Sequence, residues 1–122
     1  MENKSRSRLV GMIGFAMRAG KVIIGTELVC ASMSRSGAKR ARLVLLASTA
    51  SEGTKKKIRC KCEFYGVELR VIDIDGDRLG QMLGKTFSPA VIAISDERFA
   101  EEIRNAQDSI DGNAGQDNDK RD

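Results

Sequence analysis

No histidine occurs among the 122 residues, and that absence removes much of enzyme chemistry. Ser-His and Cys-His nucleophile pairs cannot be built, and the commonest general base is missing. Tryptophan is absent too, and four Phe and one Tyr are the only aromatics. So few rings argue against a sheet paved for base stacking. Three cysteines is an odd number, which points away from a secreted disulfide framework and toward reduced thiols in a cytoplasmic protein. No stretch approaches the ~20 apolar residues that span a membrane. Met1-Glu2-Asn3-Lys4 lacks the apolar run of a signal peptide.

What the chain has is charge, unevenly spread. The formal net charge is +4, but residues 1–95 carry seventeen basic against eight acidic residues, a net of +9. Residues 96–122 carry nine acidic and four basic, a net of −5. A cationic body suits a polyanionic partner; the plainer alternative is a solvated surface that maintains solubility. The length fits one domain with its own core.

Periodicity supplies the elements. Leu9, Met12, Ile13, Ala16 and Met17 recur at helical spacing behind Ser7 as a cap, and Gly20 stops that helix. Val22-Ile23-Ile24 reads as a strand ended by Gly25, and a second helix is expected from Thr26 to about Arg35. Leu43 to Ala47 is apolar at consecutive positions, the mark of a central strand covered on both faces. A basic third helix, with apolar line Ile58, Cys62 and Tyr65, ends at Gly66. Val67 to Ile74 is a strand, Asp75-Gly76-Asp77 turns into a short helix, and Ala90 to Ile94 is the last strand. A last helix is expected from Asp96 to about Ala106. The alternation predicts one α/β domain over residues 1–106, a sandwich with helices on both faces of a small four-stranded mixed sheet and about five helices. Residues 107–122 have one Ile and no evident period, and read as a disordered acidic tail.

Three tempting motifs fail on spacing. Gly80 to Thr86, GQMLGKT, has three residues between its glycines where a phosphate loop needs four, and the flanking elements are reversed. Asp73 to Asp77, DIDGD, would need glycine where Arg78 stands and glutamate where Gly84 stands to be a calcium loop; an aspartate capping a helix explains it better. Cys60 and Cys62 sit two apart on a helix, pointing to opposite sides, so they make no metal pair. No metal, cofactor or enzymatic activity is expected.

The stretch KVIIGTEL, residues 21–28, is harder to dismiss. A helix start suits anions, yet Glu27 places a carboxylate where a phosphate would sit. Locally, Thr26 as cap and Glu27 at the positive helix end account for the pattern. Lys55, Lys56, Lys57, Arg59 and Lys61 crowd one helix, against the macrodipole at its start, so they do not serve helix stability.

The strings IIGTEL, ARLVLLASTAS, CEFYGVELRVI and LGQMLGKTFSPAVIAI, in that order, resemble the kink-turn RNA-binding ribosomal protein family of the L-seven-Ae and L-thirty-e type, and its bacterial YlxQ-like branch in particular. The likeness covers about residues 6–104. It implies a three-layer α/β/α sandwich that binds RNA at a sharply bent helix–internal loop–helix. It also implies that Gly25-Thr26-Glu27 enters the RNA groove beside sheared G·A pairs, and that Lys85-Thr86-Phe87-Ser88 covers a displaced nucleotide. A carboxylate can accept hydrogens from base edges. The usual pattern is Gly-Thr-Asn-Glu with a lysine one turn on. Here Glu27, Leu28 and Ala31 stand in those places, so two polar groups have become apolar.

Two readings follow. In the first, the protein is a cytoplasmic, ribosome- or translation-associated binder of structured RNA, with a monomer favoured. Its candidate RNA contacts are Lys21, Gly25, Thr26, Glu27, Arg35, Lys39, Arg40, Lys55, Lys56, Lys85, Thr86 and Phe87. In the second it is a protein-interaction module that has lost kink-turn binding, for which Leu28 and Ala31 speak.

Overall fold

A computed structural model of the protein describes residues 4–115. Five helices and four strands alternate: α1 (Lys4–Arg18), β1 (Val22–Ile24), α2 (Thr26–Met33), β2 (Leu43–Leu46), α3 (Glu52–Tyr65), β3 (Glu68–Val71), α4 (Gly76–Met82), β4 (Val91–Ile94) and α5 (Glu97–Gly115). A single 3-10 turn, Gly37–Lys39, precedes β2. The sheet is mixed and runs β1-β4-β2-β3. β4 is antiparallel to both β1 and β2, and β2 and β3 are parallel.

Every residue of β2 and β4 is buried, because these are the two central strands and helices cover both faces. Alternate side chains feed two cores. Leu43, Leu45, Ile92 and Ile94 meet Leu9 and Ile13 of α1, Leu79 of α4 and Ile103 of α5. Val44, Leu46, Val91 and Ala93 meet Val29 and Met33 of α2 with Ile58 and Cys62 of α3. The result is the expected sandwich, with α1, α4 and α5 on one face and α2 and α3 on the other.

Several boundaries differ from expectation, among them β3, which ends at Val71 rather than Ile74. α1 begins at Lys4, so Ser7 lies inside the helix rather than capping it. α2 ends at Met33, with Ser34 as its C-cap, before Arg35. α5 runs nine residues past Ala106, where the last helix was expected to end. Ile110 falls seven residues after Ile103 and four after Ala106, in phase with the stripe that packs on the sheet. Gln107 is buried, and Asp108 binds Arg70 at 2.6 Å. Of the expected acidic tail, residues 116–122 lie outside the described residues.

Candidate nucleic-acid interface

The topology sends three of the four β-to-α connections to one end of the sheet. β1, β2 and β3 each hand over to a helix there, and β4 starts there. Hydrogen bonds stitch the connections together: Gly25 N–H to the Val91 carbonyl at 3.0 Å, Ala47 N–H to Ala90 at 2.9 Å, and Ser48 N–H to Ile74 at 2.9 Å. Gly76 N–H donates to Thr49 Oγ1 at 2.9 Å, and the Ser88 hydroxyl donates to Asp77. We call this end the tip.

Gly25, not Thr26, is the N-cap of α2. Its φ of 101° lies where side-chain-bearing residues are strained, although a Cβ there would meet nothing within 4 Å. Glycine is therefore required by backbone shape, not by space. No side chain caps this helix start, unlike α3, where Ser51 accepts from Thr54 N–H, and α4, where Asp75 accepts from Arg78 N–H. The Glu27 side chain is 89% exposed, and its carboxylate pairs with the Lys57 ammonium at 3.6 Å. An acid and a base thus stand side by side in solvent, one from α2 and one from α3.

The basic helix sorts its lysines by phase. Ile58 and Cys62 face the core, which puts Lys55 on the inner flank, 24% exposed and 3.6 Å from Glu52. Lys56 and Lys57 point outward. Sequence reasoning chose Lys55 and Lys56 and passed over Lys57. The spacing from Ile58 and Cys62 was the signal that could have ranked Lys57 above Lys55. Cys62 is buried while Cys60 is exposed, as expected, and burial pushes the Cys62 thiol up to about 11, with nearby Cys30 adding to the shift.

Lys85, Thr86 and Phe87 are exposed, and Phe87 keeps half of its surface open. Their loop is seated on α4 through a glycine. At Gly80 a Cβ would overlap the Phe87 carbonyl, while Lys85 N–H donates to the Gly80 carbonyl at 2.8 Å. Between this loop and the starts of α3 and α4 lies a groove of about 560 Å³, lined by Thr49, Ser51, Thr54, Asp75, Asp77 and Ser88 among others. Two carboxylates line it beside four hydroxyls, so it does not suit bare phosphate.

The remaining candidates lie elsewhere. Lys21 precedes β1, Arg35 follows α2 and Lys39 closes the 3-10 turn, so these three sit at the opposite end of α2, about 12 Å down the helix axis. They share a second groove of about 420 Å³. Arg40 is engaged in the fold: its guanidinium donates to the Tyr65 carbonyl at 2.9 Å, closing the C-terminal end of α3. The structure therefore sets Gly25, Thr26 and Glu27 beside the start of α3 with Lys55 and Lys56, places Lys85, Thr86 and Phe87 on the loop that leads from α4 back to the tip, and separates Lys21, Arg35, Lys39 and Arg40 from them.

A model of the Ribosomal protein L7Ae/L30e/S12e/Gadd45 family matches residues 8–104, spanning every strand and the tip. The chain belongs to this family. Among L7Ae-type relatives, it is 36% identical to "RNA-binding protein YlxQ" of Enterococcus faecium over 104 residues, 85% of this chain and 95% of that one. It is also 36% identical to "RNA-binding protein YlxQ" of Bacillus subtilis (strain 168) over 92 residues, 75% and 87% of the two chains. These relatives place it in the YlxQ-like branch. A solved protein of unknown function from Bacillus halodurans C superposes with TM-score 0.73 at 29% identity, covering 83% of this chain and 97% of that one. A "Giardia lamblia 15.5kD RNA binding protein" shares the L7Ae-type fold with TM-score 0.68, at 14% identity and 91% coverage of both.

No helix among the described residues is long and apolar enough to cross a membrane. Nor does any group of three or more Cys, Asp or Glu residues among them gather as a metal site.

Proposed function

We propose that the protein is a non-enzymatic, cytoplasmic RNA-binding protein, translation- or ribosome-associated, that holds kink-turn-like structured RNA at the tip. The observation that carries this reading is Glu27: almost fully exposed on an uncapped helix start, with Lys57 beside it and Lys56 and Lys85 on neighbouring elements. A carboxylate repels phosphate but accepts the amino and imino hydrogens of base edges. Lysines around it take the backbone, which makes binding salt-dependent. Lys57 has a double use. It neutralises Glu27 in the free protein and turns to a phosphate when the acid meets a base. Phe87, exposed on a loop that Gly80 holds in place, offers a ring to a displaced base. The two YlxQ relatives, both named RNA-binding proteins, support the assignment.

Titration of a kink-turn RNA and a fully paired duplex of equal length against Glu27→Gln tests it. The substitution should weaken the kink-turn by about tenfold, the worth of one base contact, and leave the duplex within about twofold. Lys85→Ala should weaken both. Equal losses for Glu27→Gln on the two RNAs would reduce Glu27 to a helix-dipole partner.

A further inference from the structure

The groove that runs along α2 from Leu28 to beyond Arg35 combines two unlike features. Its floor is hydrocarbon, with Ile23 of β1 beside Leu28 and Ala31 of α2. Leu28 is 63% exposed, more than any other large aliphatic side chain among the described residues. Its rim holds Lys21, Arg35 and Lys39, and no carboxylate lines it. None of these three cations makes an ion pair among the described residues. The hydroxyls there are already engaged, Ser32 on the Val29 carbonyl at 2.7 Å and Ser95 on the Lys21 carbonyl at 3.3 Å. The charges and the leucine are what the groove leaves for a partner.

Cations alone would suit any polyanion. An exposed leucine over an apolar floor does not, because a sugar–phosphate backbone brings no aliphatic group to bury against it. We propose that this groove docks a short acidic segment of a partner protein, with an aliphatic side chain seated on Ile23, Leu28 and Ala31 and flanking carboxylates on Lys21, Arg35 and Lys39. An apolar anchor ringed by polar contacts is the usual anatomy of a small protein interface. The Arg70–Asp108 pair holds α5 at the β3 edge, across the sheet from β1. Leu28 adjoins Glu27 in the first turn of α2, so the groove borders the tip, and the RNA arm of the test below separates the two occupants.

The test uses the full chain and a labelled peptide, Glu-Asp-Leu-Glu-Asp-Leu-Glu-Asp, followed by fluorescence anisotropy at about 0.15 M salt. A companion peptide carries alanine in place of both leucines. The leucine peptide should bind about tenfold more tightly than the alanine peptide, and Leu28→Asp and Arg35→Glu should each weaken it about tenfold. Lys61→Ala, which removes an exposed charge on α3, should change nothing. Amide shifts on binding should cluster between residues 20 and 39. Equal affinity for the two peptides, or an unaltered leucine-peptide affinity in Leu28→Asp, would overturn the proposal. So would a kink-turn RNA that displaces the peptide and loses affinity to the same degree in Leu28→Asp, since the groove would then belong to RNA.

Discussion

Arg70 and Arg104, at the β3 edge of the sheet, each hold two carboxylates, whereas Lys21, Arg35 and Lys39, at the β1 edge, hold none among the described residues. Arg70 binds Glu68 at 2.7 Å and Asp108 at 2.6 Å. Arg104 binds the other Glu68 oxygen at 2.6 Å and Glu97 at 2.8 Å. These cations join the last helix to an edge strand and leave little charge for a ligand. At the tip, Lys56 and Lys85 make no ion pair among the described residues, and Lys57 has only a loose one to Glu27. The same residue types thus serve the fold on one side and stand without a carboxylate partner among the described residues on the other. A net charge cannot separate the two uses, but a perturbation can, because only the first kind of cation should affect unfolding.

The largest expected effect falls on the scaffold that presents the tip. Gly80→Ala drives a methyl group into the Phe87 carbonyl, so α4 and the loop must part. We expect a stability loss of about 2–3 kcal/mol, read as a drop of roughly 10 °C in the unfolding midpoint. RNA affinity should fall as well, because Lys85 and Phe87 move with the loop. An unchanged midpoint would mean the loop is not held by this contact, and the tip would lose its claim to be pre-shaped.

Next comes a matched pair that probes the comparison itself. Arg104→Ala removes the link between α5, Glu68 and Glu97 and should cost about 1–2 kcal/mol, since the guanidinium is partly buried and doubly bonded. Arg35→Ala should stay within about 0.5 kcal/mol of the parent. Chemical denaturation of the two variants checks this, and similar losses would erase the distinction between the edges.

Acid should reveal the same asymmetry more gently. The hydrogen bond from Arg104 holds the Glu97 carboxyl below its ordinary range. A carboxylate lowered in the folded state contributes stability that is complete at neutral pH and lost as pH falls through the folded value. Unfolding midpoints measured from neutral to acid pH should therefore decline less in Arg104→Ala than in the parent. Parallel declines would show that Glu97 gains nothing from the fold.

Which parts of this arrangement could be read beforehand follows from locality. Leu43 to Ala47 announces a central strand, because an unbroken apolar run has no solvent face. The order β1-β4-β2-β3 is set by pairings between distant segments, which no local period encodes. α5 was cut short because Ile110 looked solitary, although it keeps phase with Ile103 and Ala106. The tip was found through Gly25, where a helix start and an unexpected acid coincide. Lys57 was missed because its partner lies 30 positions earlier, and Arg40 was over-read because a cation bonded to a carbonyl looks no different in sequence from a free one.

The smallest effect on stability is also the sharpest test of the comparison. Lys56 is exposed on the outer side of α3, and removing it takes nothing from either core. Lys56→Ala should unfold within about 0.5 kcal/mol of the parent. If Lys56 meets a phosphate, however, one fewer counterion is released on binding, and the slope of log affinity against log salt should become shallower by about 0.7–0.9. Arg104→Ala, measured in the same series, should leave that slope alone while lowering stability. A cation that shifts the salt slope without touching unfolding belongs to the ligand, and one that does the reverse belongs to the fold. Should both variants move both quantities together, charge in this protein would act as a diffuse field, and the division between its two edges would disappear.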